Sequence, residues 1–512
     1  MAAHSEPPLP ALRVINTGSL EALLAPWAGQ AAKHAQAKSA LIATDLVILA
    51  CCFVIGRLPL WLREDATLTN ALAVWWTDSG SLRLWLFSSI SVGMVVWMGS
   101  VYGHYTAQRR KPWWDELRQL LTVIAVAAMA DAVFNYLGKW QISRLWTGLT
   151  WALVFVLLPL GRYYARKYVL AAGLLAQPYV LVGRPEDMAQ AAAALASEPL
   201  MGFTPVALVC PEPLPKAMQL GGRSLTPIAL SANVRQFLAQ PGAYQVVAVL
   251  PEHNASWMRD FAQDQMLTRD DITIVPALSG LPMLGMEVSH FFSHEVLLLR
   301  ARNSLARRGP QLIKRALDLL IAGALMVLLV PLFAWVAWRI KREGGGPVFF
   351  TQVRVGKNGE LFKFIKFRSM VLDADNALER WKTENEALYV QYLASNFKLA
   401  NDPRITPIGR IIRRTSIDEL PQLVNVLLGQ MSIVGPRPLL PRELSEYGRS
   451  INTYNKARPG ITGLWQISGR STTTFDHRIA MDLWYVRNWS LWYDCVILLR
   501  TIKVVFKQEG AC

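Results

Sequence analysis

Residues 311–342 read QLIKRALDLLIAGALMVLLVPLFAWVAWRIKR: a basic turn, an apolar run interrupted by Pro331, and a second basic turn. About 20 apolar residues suffice to cross ~30 Å of hydrocarbon, so by length alone this stretch is a membrane span. Pro331 points elsewhere. A proline within a helix removes one backbone hydrogen bond and clashes with the preceding turn, at roughly 3 kcal/mol. Such a break can fold a helix back to the face it entered from, provided protein or water satisfies the freed carbonyls. Lys314 and Arg315 before the run, with Arg339, Lys341 and Arg342 after it, fit two returns to one surface. A re-entrant helix over residues 312–340 is favoured. The alternative, a kinked full span, would carry everything after it to the opposite side.

Upstream, four more apolar runs are long enough to span: Ala40 to Leu62, Leu82 to Tyr102, Leu117 to Leu137, and Leu145 to Leu160. Lys33 and Lys38 precede the first, Arg109, Arg110 and Lys111 separate the second from the third, and Arg162, Arg166 and Lys167 follow the fourth. The other two loops are less basic, because Arg63 is offset by Glu64, Asp65 and Asp78, and Lys139 and Arg144 flank a short turn. The positive-inside tendency puts both ends of the bundle in the cytoplasm. Composition agrees: 52% of the 512 residues are hydrophobic, only 18% are charged, and there are 19 tryptophans, which favour headgroup boundaries. A formal charge of +16 beside such runs points to acidic lipid or phosphorylated substrates and away from nucleic acid. The five cysteines lack metal or disulfide spacing. Within the third run, Asp131 and Asn135 share a helix face and read as inward-facing partners between helices.

From about Gln177 to Pro276 short apolar runs alternate with helical stretches. Tyr179–Gly183, Pro205–Cys210, Tyr244–Leu250 and Ile272–Val275 read as buried strands, with helices over Pro185–Ser197 and Ala255–Thr268 between them. That alternation predicts a parallel α/β sheet. Gly183 ends the first strand alone, without the spaced glycines a dinucleotide requires. Met286 to Arg302 reads as extended, leading to a basic linker at Ala306–Gly309.

The densest chemistry lies between Asn401 and Pro438. Ile408–Gly409–Arg410–Ile411–Ile412–Arg413–Arg414–Thr415–Ser416 runs into Ile417–Asp418–Glu419–Leu420–Pro421–Gln422, then a helix to Leu428 with Gly429 as its stop. Ser416 and Glu419 have capping-box spacing, while Pro421 suits a helix that begins there and leaves both acids on an exposed turn. Either placement suits phosphoryl chemistry. Helix N–H groups and Arg413 can hold a phosphate beside an ionised carboxylate, and an aspartate can form an acyl-phosphate. Glu419 can join a Mg²⁺ site, since that ion takes a few carboxylates plus phosphate oxygens and water. Val434–Gly435–Pro436–Arg437–Pro438 holds an arginine between prolines, a stiff setting for bidentate phosphate contact. In Phe364–Ile365–Lys366–Phe367–Arg368–Ser369–Met370, strand alternation places Lys366 and Arg368 on one face. His477 beside Asp476 is a structural histidine by default.

Taken in order, these pieces resemble the bacterial sugar transferase family, the polyisoprenyl-phosphate hexose-1-phosphate transferases, from about Leu312 to Phe506. Lys314–Arg315–Ala316–Leu317–Asp318, Gly346–Pro347–Val348–Phe349–Phe350, Lys366–Phe367–Arg368–Ser369–Met370, Thr415–Ser416–Ile417–Asp418–Glu419–Leu420–Pro421–Gln422 and Gly435–Pro436–Arg437–Pro438 carry the resemblance. It implies Asp418 and Glu419 as the catalytic pair, Asp418 as nucleophile, both at a Mg²⁺ site, and Arg437 and Arg413 as phosphate contacts. Ser289–Val296 and Leu299–Asn303 resemble the long, galactose-using members, which also suggests a homodimer. Gln430 stands where the family pattern leads one to expect an acid.

The expected architecture is a flexible N-terminus (1–39), a membrane α-helical bundle of four spans (40–168), and an α/β Rossmann-like cytoplasmic domain with its extended connector (177–302). A mixed α/β monotopic catalytic domain (310–512) with its re-entrant helix follows, facing the cytoplasm at the inner membrane. The aromatic and basic tail, Trp484 to Lys507, suits the membrane interface. The expected reaction moves hexose-1-phosphate, galactose foremost, from a UDP-sugar to undecaprenyl phosphate through phosphoryl-Asp418, releasing UMP. UDP-glucose is the alternative donor. Two rivals differ in kind: a glycosyltransferase releasing UDP, and a non-catalytic scaffold for polysaccharide assembly.

Overall fold

The four upstream runs form four helices in the computed structural model: Gln30–Arg63 (α2), Asp78–Ser100 (α3), Trp113–Leu137 (α4) and Arg144–Ala171 (α5), preceded by the short Thr17–Leu24 (α1). The described residues are 17–63, 78–106, 110–140, 143–211, 217–220, 223–240, 242–250, 257–258, 261, 265, 269, 272–276, 287–290, 297–300, 305, 308–374, 376–377, 380–381, 390–391, 402–468 and 474–507. All four long helices have the length and apolarity to cross a membrane. The chain divides into two compact units, Met1–Leu278 and Ser279–Cys512.

Lipid is as apolar as leucine, so helices in a bilayer are selected by close packing and polar contacts. Both are present in the bundle. A Cβ on Gly56 would collide with Thr150, and one on Gly161 with Ile48, so α2 and α5 meet at glycines. Arg162 Nη1 lies 2.5 Å from Asp45 Oδ2 and its Nε 2.9 Å from Glu116 Oε1, all fully or nearly fully buried. Arg166 pairs with the other Glu116 oxygen, and the Tyr105 hydroxyl donates to Asp45 at 2.6 Å. A second buried group joins Arg83 to Asp131, which also accepts from Trp151 Nε1 at 2.7 Å and Asn135 Nδ2 at 3.1 Å. Asp131 is thus the inward-facing partner that its spacing indicated.

Two expectations for the first unit need correction. Residues 17–39 were expected to be flexible, yet those from Thr17 onward are largely helical, and Leu20 is fully buried against the parallel sheet with Val182, Val206 and Ile228. Apolar residues at 20 and 24 are one helical turn apart and cover the sheet. Strands Gln177–Val182 (β1), Phe203–Cys210 (β2), Pro227–Ala229 (β3), Gln245–Val249 (β4) and Ile272–Val275 (β5) form one parallel sheet ordered β3-β2-β1-β4-β5. Helices Pro185–Ala196 (α6) and Ala232–Leu238 (α7) follow β1 and β3 in the chain, and β1 and β4 are buried throughout, as parallel strands covered on both faces should be. β3 was missed because three residues led by a proline show no period. A Cβ on Gly183 would meet Met188 and Val249 side chains at 3.1 Å, so glycine serves packing there. The helix expected at 255–268 and the linker residues 306–307 lie largely or wholly outside the described residues.

In the second unit Glu287–His290 and Leu297–Arg300 pair antiparallel. The connector expected to belong with 177–302 therefore groups with the C-terminal unit, because both strands of its hairpin come from that side of residue 279. Residues 291–296 and 303 are outside the described set. Helices Arg308–Leu328 (α8) and Val330–Gly344 (α9) meet at 60° across Leu329. Pro331 occupies the first turn of α9, where its missing N–H costs no helical bond. Lys314 and Arg315 are scaffold residues. Lys314 donates to Asp494 at 2.6 Å and the Val434 carbonyl at 3.0 Å, and Arg315 caps the carbonyls of Val426 and Leu427. Asp318 accepts from Ser432 Oγ and the Ile433 N–H. The outer face of the bent pair stays bare, with Leu312, Leu320, Val327, Leu328 and Val330 all more than half exposed.

The tail departs from the interfacial expectation. Tyr485 and Trp489 are core residues, 2% and 3% exposed, and both reach Asp494, at 2.7 and 3.0 Å. Among the described residues of this stretch, Trp484, Leu499 and Ile502 are the exposed large apolar side chains. An aromatic stripe at helical spacing serves either purpose, so the sequence pattern could not separate them.

Candidate active site

An antiparallel hairpin, Phe349–Val355 (β6) with Leu361–Phe367 (β7), forms one wall. Phe362 and Phe364 point into the core, and Lys366 shares their side of the strand by alternation. The opposite wall is helix Pro407–Arg414 (α10), a turn over Ile417–Glu419, and helix Gln422–Leu427 (α11). Thr406 caps α10 by accepting from the Gly409 N–H at 3.0 Å, while Glu343 at the end of α9 accepts from the Ile408 N–H at 2.9 Å. The bent pair is thereby tied to the helix that leads into the acids. Ser416 then takes φ 57°, the left-handed region that costs an L residue about 1–2 kcal/mol. This reversal, with no capping bond from the Ser416 side chain, replaces the expected capping box.

The reversal places Asp418 inward, 8% exposed, contrary to the exposed turn that Pro421 suggested. Lys366 Nζ sits 2.9 Å from Glu419 Oε1 and 3.9 Å from Asp418 Oδ2. Burial pushes the Asp418 carboxyl up to about 6 despite the Lys366 and Arg413 charges, with Glu419 adding to the rise. Asn425 locks the two walls together: its Oδ1 accepts from the Ile365 N–H at 3.2 Å, and its Nδ2 donates to the Lys363 carbonyl at 2.8 Å. Gln430 Oε1 accepts a 2.7 Å bond from the same amide, work that an acid at that position would do equally. Arg413 is half-buried, and its guanidinium makes no hydrogen bond or ion pair among the described residues, which leaves it able to take an anion.

Arg368 and Arg437 are not brought to these acids. Arg368 follows the last residue of β7, its N–H donating to the Val348 carbonyl at 2.9 Å and its side chain to the Gly345 carbonyl. Arg437 pairs with Glu443 at 3.4 Å and lies over Trp465, 5.7 Å from the ring centre. Its backbone N–H donates to buried Asp482, whose carboxyl burial pushes up to about 7 and which also accepts from Tyr447 at 3.0 Å. Arg354 joins this second cluster by donating to the Pro438 carbonyl; burial, then the Arg437 charge, lowers it to about 10. Asp482, Arg354 and Trp465 were missed, since nothing in their local sequence marks residues assembled from distant segments. His477 lies exposed in the first turn of Phe475–Arg487, its backbone N–H donating to the Thr474 hydroxyl at 3.4 Å.

A family model described as "Bacterial sugar transferase" matches residues 309–508, the segment that carries both clusters. The UDP-galactose-lipid carrier transferase of Erwinia amylovora is 37% identical over 425 residues, covering 82% of this chain and 87% of that protein. The chain belongs to the bacterial sugar transferase family. Another member, the undecaprenyl-phosphate galactose phosphotransferase of Salmonella typhimurium, is 35% identical over 428 residues, again 82% of this chain and 87% of the relative. The UDP-glucose:undecaprenyl-phosphate glucose-1-phosphate transferase of Escherichia coli is 38% identical over 209 residues, 39% of this chain and 42% of its own. Family membership makes the chain a membrane-anchored transferase, and the scaffold alternative is set aside.

Proposed function

We propose that the chain moves hexose-1-phosphate, galactose-1-phosphate foremost, from a UDP-sugar to undecaprenyl phosphate by two displacements at Asp418. The supporting observation is the buried Asp418 carboxylate beside Lys366, with Glu419 adjacent and the Arg413 charge nearby. In the first step an Asp418 oxygen attacks the β-phosphorus and the bond to the bridging oxygen breaks, so UMP departs with that electron pair. In the second, an oxygen of undecaprenyl phosphate attacks the same phosphorus and frees Asp418. Arg413 and Lys366 offset charge on the transferring phosphoryl group, with Lys366 exchanging Glu419 for a phosphate oxygen. Two adjacent carboxylates are a hard-oxygen donor set of the kind Mg²⁺ takes together with phosphate oxygens and water. When bound by Glu419 and Asp418, Mg²⁺ would neutralise diphosphate charge. Arg437, with Trp465 beneath it, is assigned to the nucleotide end of the donor.

The bent pair α8–α9 is placed in the cytoplasmic leaflet of the inner membrane as a re-entrant element, which keeps the acids on the cytoplasmic face with both ends of the bundle. The parallel-sheet domain is assigned as a Rossmann-like module without a dinucleotide, and the working form as a homodimer.

Product identity tests the chemistry. Full-length protein in lipid with UDP-galactose and Mg²⁺, but no acceptor, is expected to release about one UMP per active site and stop, as a covalent intermediate requires. Release of UDP would overturn the proposal in favour of simple glycosyl transfer. Replacing UDP-galactose with UDP-glucose then decides the sugar.

The raised Asp418 carboxyl predicts a pH profile. The nucleophile must be ionised, so the rate of UMP formation is expected to climb as pH rises through about 6 and level off above it. Lys366→Met removes a charge that favours ionisation, and the midpoint is expected to move upward. A profile flat from pH 5 to 8 would remove Asp418 ionisation from the rate law.

A further inference from the structure

A second concavity in the C-terminal unit is lined by Lys314, Lys357, Lys456, Arg458 and Tyr485. Among the described residues, no hydrogen bond or ion pair joins it to Asp418, Glu419 or Lys366. Lys314 is committed to Asp494. Among the described residues Arg458 uses only Nε, on the Gly429 carbonyl at 2.8 Å, and its two terminal nitrogens make no hydrogen bond or ion pair. Lys357 and Lys456 make no ion pair among the described residues. The arrangement is built. The turn at Lys357–Gly359 is pinned by the Asn358 N–H donating to the Asn455 carbonyl at 2.8 Å, with Asn358 itself at φ 59°. That bond holds one lysine beside the segment bearing the other cations, and an anion there would relieve their mutual repulsion. The Lys357 ammonium is held below its ordinary range by burial and by Arg458, as expected of unneutralised cations brought together.

The surroundings identify the kind of anion. Gln311 and Lys314 face the concavity from the first turns of α8. On the same turns Leu312 and Ile313 are 70% and 52% exposed, and Leu317 is also bare. A free phosphate would account for the cations but not for apolar side chains flanking them. A phosphate joined to acyl chains accounts for both.

We propose that this concavity binds the phosphate of an anionic phospholipid, seating α8 at the headgroup level independently of the transferase site. The assignment rests on the bent pair lying in the bilayer.

The test uses full-length protein in nanodiscs of phosphatidylcholine with a minor fraction of phosphatidylglycerol, followed by mass spectrometry of lipid retained through mild detergent. Wild type is expected to retain phosphatidylglycerol. Lys357→Gln/Lys456→Gln is expected to need about thirtyfold more of it for equal retention, from about fivefold per lysine near a charged surface. UMP release in pure phosphatidylcholine should be the same for both proteins. Equal retention by both would overturn the site. Retention abolished by millimolar inorganic phosphate in wild type would reassign it to a free anion and overturn the lipid source. Each single variant, checked for unchanged thermal unfolding, gives the same reading if the double variant does not fold. A separate arm labels Lys341→Cys with a membrane-impermeant maleimide. Labelling from the periplasmic face would overturn the re-entrant placement, whatever the lipid result.

Discussion

Asp418→Asn is expected to lower UMP release by about three orders of magnitude or more, because an amide oxygen cannot serve as the nucleophile of the first displacement. The same variant should be more stable than wild type at neutral pH, and the sign follows from its surroundings. Burial raises the Asp418 carboxyl to about 6, above its ordinary value. An acid raised on folding contributes stability below its ordinary pKa and loses it as pH rises through the folded value. At pH 7.5 wild type therefore carries a charged, buried carboxylate at a cost of roughly 1–3 kcal/mol, which asparagine removes. Unfolding followed without divalent cations should show the variant ahead at pH 7.5 and the gap closing towards pH 4. A variant that is inactive but no more stable would leave the catalytic role intact and contradict the electrostatic account. One that retains wild-type turnover would end the phosphoryl-aspartate route.

The second large effect is expected far from the chemistry. Arg162→Ala leaves Asp45 without its cation and Glu116 with Arg166 alone, inside an apolar bundle. Removing one partner of a buried ion pair costs about 3–5 kcal/mol, since the remaining charge stays unsolvated. The bundle should unfold at correspondingly lower denaturant, by tryptophan fluorescence in detergent. Asp45→Asn/Arg162→Met takes away one acid and one base together, leaves Glu116 with Arg166, and should recover more than half of the loss. If the double variant is as unstable as Arg162→Ala, the pair is not what holds α2 against α5.

What could be read from the chain beforehand follows the range of the interactions. Runs of apolar residues announce four helices, and one proline announces the bend, because both are local properties. Asp418, Glu419 and Arg413 stand within six positions, so their meeting needed no knowledge of the fold. Lys366 was found by strand alternation. Arg368 lies just beyond the last residue of β7, and its guanidinium is taken up by the Gly345 carbonyl. Arg83 and Asp45 were overlooked inside runs that remain apolar on average, although an ion in such a run demands a partner. Asp482, Arg354 and Asn425 act through contacts tens of residues away, and only the folded chain brings those segments together. Tyr485 and Trp489 show the converse: their spacing fitted an interface as well as a core, and burial alone distinguished the two.

The bareness of α8 and α9 bears on how this protein can be handled in pieces. Leu312, Leu320, Val327, Leu328 and Val330 belong to the transferase unit itself, not to the four upstream spans. A truncation that begins at Arg308 would discard all four upstream helices and still yield a surfactant-like protein that sediments with vesicles and needs detergent in every buffer. Making it freely water-soluble would require redesigning the outer face of those two helices while keeping the tether from Glu343 to the helix leading into the acids.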